Sequence, residues 1–156
     1  MSLSPYVPTD HWIVDEILKM LNLKPEEVLY EIGCGDARVL IEAACKYGAR
    51  GVGIEVNPIH AEIANHSVEA SGLEDRIKII EADVLGDVDI SPADAVYMYL
   101  TPQGLYGLKP KLERQLRLDC RLVSKDYSIK GWEYVEKGGP PGCYLFLYRM
   151  DSIHNL

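Results

Sequence analysis

Phenylalanine occurs once in the 156 residues, although tyrosine occurs ten times. No apolar run approaches the ~20 residues of a membrane-spanning helix. The first residues lack the basic-then-apolar pattern of a signal peptide. Positive charge is in deficit: 16 Lys and Arg face 24 Asp and Glu, a formal net charge of −8. That balance disfavours a polyphosphate partner gripped by a broad basic surface. Of the four cysteines, at 34, 45, 120 and 143, none forms a C-x-x-C pair, and no histidine stands at metal-ligand spacing from them. The usual zinc frameworks are thereby excluded. Cys45, Cys120 and Cys143 fall among apolar neighbours and read as small core residues, as expected of a reduced, cytoplasmic protein. No repeat, low-complexity tract or linker interrupts the chain, so residues 1–156 read as one domain.

What is present is an alternation of helix and strand, which argues for an α/β layer fold with a mostly parallel sheet. Thr9 or Asp10 can cap a first helix with Ile13, Val14, Ile17, Leu18 and Leu21 on one face. Val28 to Ile32 reads as a buried strand. A helix with Val39, Leu40, Ala43, Ala44 and Tyr47 in a stripe follows, stopped by Gly48. Gly51 to Glu55 is a second strand, and Asn57-Pro58 opens the next helix, which Gly72 ends. Ile77 to Ile80, Ala95 to Leu100 and Cys120 to Val123 read as strands three to five. Between Asp83 and Ala93 there is room for one helical turn at most. A Pro-interrupted helix spans roughly Gln103 to Leu116, with Lys109 and Lys111 on a solvated face. Gly138-Gly139-Pro140-Pro141-Gly142 predicts a turn joining a short strand at 133–135 to Tyr144–Tyr148, an antiparallel hairpin at the sheet edge. His154 lies in a tail expected to fray.

The chemistry gathers where strands end. Glu31-Ile32-Gly33-Cys34-Gly35-Asp36-Ala37-Arg38 leaves the first strand and enters a helix, and Glu55 closes the second strand 22 residues after Gly33. A dinucleotide fingerprint needs G-x-G-x-x-G. Here Arg38 takes the last glycine's place, and Glu31 would repel a pyrophosphate. A cationic adenosyl cofactor suits the pattern better. Gly33 and Gly35 let the backbone approach a ligand. Glu31 favours positive groups, and Glu55 can accept from both ribose hydroxyls. Asp83, with the Val84 amide, is placed for adenine. Cys34 within the turn and Val56 after Glu55 are grouped with them as cofactor contacts.

On the glycine turn, Glu55 and Asp83, the sequence resembles the seven-strand, class I S-adenosylmethionine-dependent methyltransferases. Tyr6-Val7-Pro8-Thr9, Val28 to Asp36, Lys109-Pro110-Lys111-Leu112 and Gly131-Trp132 extend the resemblance, from about Tyr6 to Tyr148, to the small archaeal protein lysine methyltransferases. These are similar to the mitochondrial lysine methyltransferases of eukaryotes. The resemblance implies a Rossmann-like, doubly wound, mostly parallel seven-stranded sheet with a C-terminal antiparallel hairpin and an extra N-terminal helix. It implies S-adenosyl-L-methionine as cofactor and protein lysine side chains as acceptors. The chain departs from that pattern at Ala37, where a third glycine is usual, at Lys125, where a histidine often follows serine, and along Tyr99-Leu100-Thr101-Pro102. At Ala37 a helical first turn, tolerant of a Cβ, is expected.

Ligands in open α/β sheets lie beyond the strands' carboxyl ends. The acceptor therefore belongs near Tyr97–Pro102 and Ser124–Tyr127, with Tyr6 to Thr9 as a lid. A lysine ammonium, whose ordinary pKa is ~10.4, must lose a proton before accepting a methyl group. Leu100 is expected as an apolar wall, Tyr99 and Thr101 as groups that orient the amine, and Asp126 as the carboxylate that draws in the cation and takes its proton. Tyr97, Tyr99, Tyr106 and Tyr127 are candidates for the cleft. Nucleic-acid amino methyltransferases carry an Asp/Asn-Pro-Pro-aromatic loop after strand four; Tyr97 to Pro102 has no carboxamide, so DNA or RNA is not the expected substrate. The alternatives are a small-molecule methyltransferase, a non-catalytic S-adenosylmethionine-binding module and, less well matched, a dinucleotide oxidoreductase.

Overall fold

The computed structural model describes residues 9–154. Helix α1 (His11–Leu21) leads into strand β1 (Val28–Ile32), followed by α2 (Arg38–Tyr47), β2 (Arg50–Glu55), α3 (Pro58–Ala70) and β3 (Ile77–Glu81). Then come β4 (Ala95–Met98), α4 (Pro102–Gln115), β5 (Arg121–Lys125), β6 (Glu136–Gly138), β7 (Leu145–Arg149) and α5 (Met150–His154). The strands form one sheet in the order β3-β2-β1-β4-β5-β7-β6. The first five pair in parallel, and β7 runs antiparallel to both β5 and β6.

Strand order reverses between β1 and β4, and that junction opens a crevice at the strands' carboxyl ends. Alternation along the pleat sends successive side chains to opposite faces. Leu29, Ala95, Tyr97, Val123, Leu145 and Leu147 pack with α1, α2 and α3 on one face. Tyr30, Ile32, Val96, Met98, Leu122 and Tyr148 pack with α4 and α5 on the other. Helix α1 buries the five apolar residues its spacing predicts, each contributing about 1.5–3 kcal/mol of transfer free energy. Asp10 holds the N-cap position of α1 without a side-chain bond. Asn57 caps α3 by accepting from the Ile59 amide at 2.9 Å, with Pro58 in the first turn.

Four expectations shift. The hairpin's first strand is β6 at Glu136–Gly138, three residues later than 133–135. The tight turn needs only Gly139 to Gly142, with φ of +99° and +84° at its two end glycines, so Gly138 is free to pair with Leu145. β4 ends at Met98, and Leu100 beyond it is buried on the α4 side. The C-terminal residues do not fray up to His154: they form α5, whose Met150 and Ile153 are buried against β7. Cys45 is exposed on α2 rather than in the core; all four cysteines are free thiols. Among the described residues no helix is long and apolar enough to cross a membrane.

Candidate active site

The turn after β1 is built from left-handed residues. Gly33 and Gly35 have φ of +76° and +54°, conformations that glycine adopts without steric cost. The Gly33 amide donates to the Ile54 carbonyl at 2.8 Å, tying the turn to β2. Ala37 has φ +64°, sits at the N-cap of α2 and is fully buried. The expected helical first turn is therefore incorrect: a left-handed conformation here is what makes glycine usual at the position, and the Cβ is carried under strain. Arg38 braces the turn. Its Nη2 and Nε hold Asp36 Oδ2 at 2.6 and 3.0 Å, and its Nη1 donates to the Thr9 carbonyl at 3.0 Å. Burial opposes ionisation of Asp36, but Arg38 prevails and keeps that carboxyl below its usual range.

Glu31 lies in the floor of the crevice, opposite Tyr97 in register. It is buried, and among the described residues its Oε1 has no hydrogen-bond partner. Burial, then the nearby Asp36 and Glu55, push its pKa well above the usual carboxylate range, with Arg38 only partly offsetting them. Glu55 is also buried; Oε1 accepts from the Gly35 amide at 3.2 Å and Oε2 from the Asn57 amide at 3.1 Å. Each of its oxygens keeps a second lone pair. Asp83 is exposed; its Oδ1 accepts from the Leu85 amide at 2.9 Å, and Val84 beside it is buried. An orphaned buried carboxyl oxygen, an open glycine backbone and two further strand-end carboxylates fit a cationic adenosyl cofactor. Cys34 points away from this rim, its Sγ packed towards Gly53, where any Cβ would lie 2.7 Å from it. Burial holds the Cys34 thiol firmly protonated. Val56 follows Glu55 and is half-buried. Tyr6 lies outside the described residues, and Thr9 is placed by the bond from Arg38.

On the acceptor side, Tyr99 and Tyr127 stack with centroids 6.5 Å apart and planes 10° apart. Lys125 Nζ lies 4.0 Å from the Tyr99 ring centroid and 2.9 Å from Asp126 Oδ2. Asp126 has φ +65° at the centre of a three-residue turn closed by the Tyr127 amide donating to the Lys125 carbonyl at 2.8 Å. The fully buried Ser124 hydroxyl donates to the Tyr127 carbonyl at 2.6 Å. Thr101 is the N-cap of α4, its Oγ1 accepting from the Gly104 amide at 3.1 Å. Among the tyrosine candidates for the cleft, Tyr97 is buried beside Glu31, whereas Tyr106 is 81% exposed on α4.

Three residues that matter here escape sequence reasoning. Lys111 is buried, not solvated, and donates to the carbonyls of Val84 at 2.7 Å and Gly86 at 2.8 Å. Lys109, by contrast, stays at the surface as expected, donating to the Lys130 carbonyl at 2.7 Å. A signal for Lys111 was present: it falls on the stripe Leu105, Leu108, Leu112 at helical spacing. Gly53 carries no such signal, because its neighbours are set by tertiary packing; Arg38 has its ion-pair partner Asp36 only two residues away, and only its bond to the Thr9 carbonyl depends on the fold.

A seven-stranded sheet in this order, with a glycine turn and acidic strand tips around its switch point, defines a class I S-adenosylmethionine-dependent methyltransferase. Residues 31–136 match the ANTKMT methyltransferase domain family, and the chain belongs to it. It is 36% identical over 133 residues to a protein-lysine N-methyltransferase of Saccharolobus islandicus, covering 85% of this chain and 82% of that protein. It is 28% identical over 132 residues to the adenine nucleotide translocase lysine N-methyltransferase of Mus musculus, covering 84% of this chain but 56% of that longer protein. A crystal structure described as an RNA methyltransferase from Salinibacter ruber, bound to S-adenosyl-L-homocysteine, superposes with a TM-score of 0.89 at 33% identity, covering 92% of this chain and 94% of the other. The chain is thus an enzyme of the S-adenosylmethionine-dependent protein-lysine methyltransferase group.

Proposed function

We propose that this domain methylates the ε-amino groups of lysine residues in proteins, at a shelf formed by Tyr99 and the Lys125–Tyr127 turn. The observation that carries the proposal is local: an aromatic ring face and a carboxylate converge on an ammonium beside the cofactor crevice. A ring face and an anion are what a lysine side chain requires for recognition.

Bound S-adenosylmethionine supplies a sulfonium-activated methyl group. The chain's own residues do the rest. Glu31, Gly33, the backbone of Cys34, Gly35, Glu55, Val56, Asp83 and Val84 hold the cofactor, with Thr9 at its edge. Tyr99 orients the acceptor amine, and Asp126 draws in its charge and takes up its proton. Thr101 acts through the loop, fixing the backbone after Tyr99 by capping α4. The shelf is open: Tyr127 and Tyr144 are 39% and 49% exposed. An open shelf suits a side chain protruding from a protein better than an enclosed metabolite. We place the protein in the cytoplasm, in keeping with its free thiols.

Incubating the protein and radiolabelled S-adenosylmethionine with cell extract, then fractionating, tests this. Label on lysine in the protein fraction, mapped by mass spectrometry, is the expected result. Label confined to the low-mass fraction favours a small-molecule acceptor. Label in RNA favours the activity named for the Salinibacter structure, against which the charge of −8 argues. Cofactor binding with no turnover on any fraction identifies a non-catalytic module.

A further inference from the structure

We infer that Lys125 is a tethered occupant of the acceptor seat, a built-in stand-in for the substrate ammonium that an incoming lysine must displace. The inference rests on the proposed lysine acceptor and deepens it.

The seat is fixed by bonds in which the Lys125 side chain takes no part. The Asp126 amide donates to the Tyr144 carbonyl at 2.6 Å, and the Tyr144 amide donates to Asp126 Oδ1 at 3.2 Å. With the Ser124–Tyr127 bond, these contacts hold Asp126 in its left-handed conformation, which a non-glycine residue keeps only when its surroundings over-determine it. Tyr99 is held by its stack on Tyr127. The carboxylate and the ring face therefore stay in place whether or not an ammonium rests between them.

Lys125 is the movable partner. Its charge sits on a flexible four-carbon stem, anchored where β5 ends opposite Leu145. It lies two residues beyond Val123, which packs on the α1 side of the sheet, the face that also carries Tyr97 and Tyr99. Its side chain is 12% exposed, and its ammonium occupies the place between the Tyr99 ring and Asp126, at the edge of the open shelf. A substrate lysine offers the same ammonium on the same stem, so the two compete for one place.

This competition sets selectivity. A free amine at low concentration meets an occupied seat. A lysine delivered by a docked protein segment arrives at the high effective concentration of an intramolecular partner and displaces Lys125. Apparent affinity falls by the fraction of time the seat is open, so an ion resident nine-tenths of the time weakens binding about tenfold.

The test uses a lysine peptide from a protein that the wild-type enzyme methylates. It is titrated calorimetrically into the full chain saturated with S-adenosylhomocysteine. Lys125→Met is expected to bind the peptide about five- to tenfold more tightly. Its KM should fall by the same factor with no loss of kcat, a split that a merely structural role does not produce. In 13C-lysine-labelled wild-type protein, the Lys125 ε-CH2 signals, shifted upfield by the Tyr99 ring, should relax to unshifted values as peptide saturates. Unchanged or weaker binding by Lys125→Met, or Lys125 signals that hold their position at saturation, overturns the inference. If Lys125→Met does not fold, the wild-type titration decides alone, with Lys125→Arg assigning the signals. A wild-type enzyme that methylates no protein lysine removes the proposed function and this inference together. One that methylates lysine while Lys125→Met gains nothing removes the inference only.

Discussion

Lys111 Nζ reaches from the middle of α4 to the Val84 carbonyl, 2.7 Å away, and holds from below the loop that carries Asp83. The Gly86 carbonyl takes a second bond at 2.8 Å, and the Gly86 amide in turn donates to the Asp83 carbonyl at 2.9 Å. One buried ammonium thus ties the Asp83–Gly86 loop to helix α4, with which Val84 shares one core cluster.

Replacing Lys111 by Met keeps the length of the stem and deletes the donors. Two carbonyls lose their partner, at about 1–3 kcal/mol for each group left buried and unsatisfied. The expected outcome is a lower melting temperature and roughly tenfold weaker S-adenosylmethionine binding by calorimetry, through a loosened Asp83–Gly86 loop. A Lys111→Met protein that binds the cofactor as tightly as wild type would show that the loop needs no anchor.

Glu31 gives a prediction with a definite sign. Its folded pKa is raised by burial, above an unfolded value of ~4.3. The folded state therefore binds the Glu31 proton more tightly. Its contribution to stability is fully present below the unfolded pKa and is lost as pH rises towards the folded one. Glu31→Gln should accordingly stabilise the cofactor-free protein at neutral pH by about 1–2 kcal/mol, a gain that vanishes near pH 4. The same change should weaken S-adenosylmethionine binding at least tenfold, because the anion that faces the cofactor's positive charge is gone. Wild-type binding should release protons, visible in calorimetry as a dependence on the buffer's ionisation enthalpy; Glu31→Gln should abolish that release. Equal proton release in both proteins would assign the titration to another group.

Much of this arrangement was legible from residue order alone. Strands β1, β4 and β5 are short, mostly apolar runs that a parallel sheet buries on both faces, and Asn57-Pro58 and Gly48 punctuate helices by local chemistry that needs no tertiary context. The strand-end acids Glu31, Glu55 and Asp83 come to one crevice because strand tips are where a parallel sheet places them. What could not be read depends on packing between distant segments. Lys111 looks solvated until the Val84 carbonyl is known to lie beneath it, and Lys125 looks like a surface lysine until Tyr99 and Asp126 close around it. Ala37 was misjudged for a similar reason: its backbone is set by the turn it completes, not by the helix it precedes. Strand β6 is displaced and α5 is missed because three- and five-residue elements carry too little pattern to locate.

Gly53 and Cys34 make a coupled pair. An added Cβ at Gly53 would lie 2.7 Å from Cys34 Sγ and 2.9 Å from Cys34 Cβ and Ile79 Cδ1. Gly53→Ala should cost about 1–3 kcal/mol of overpacking and push the glycine turn outward, weakening cofactor binding. Adding Cys34→Ala removes the sulfur and should restore part of the stability, so the two substitutions are non-additive by at least about 0.5 kcal/mol in a double-mutant cycle. Strict additivity would mean that the strain lies against Cys34 Cβ and Ile79 rather than against the sulfur.

At Ala37 the backbone conformation, not the side chain, decides the outcome. An ordinary first-turn alanine would lose about 1 kcal/mol on replacement by glycine. Here φ is +64°, so glycine relieves roughly 1–2 kcal/mol of left-handed strain against the lost methyl burial of about 0.8 kcal/mol and the greater freedom of glycine in the unfolded chain. Ala37→Gly should thus lie within about 1 kcal/mol of wild type in a denaturant melt and keep its cofactor affinity. Ala37→Val meets both penalties at once, a branched Cβ at positive φ and extra methyls at a fully buried site. It should lose about 2–4 kcal/mol and, because the turn can no longer close over Gly33 and Gly35, most of its S-adenosylmethionine binding. A stable, binding-competent Ala37→Val protein would mean that the left-handed turn is dispensable to the site.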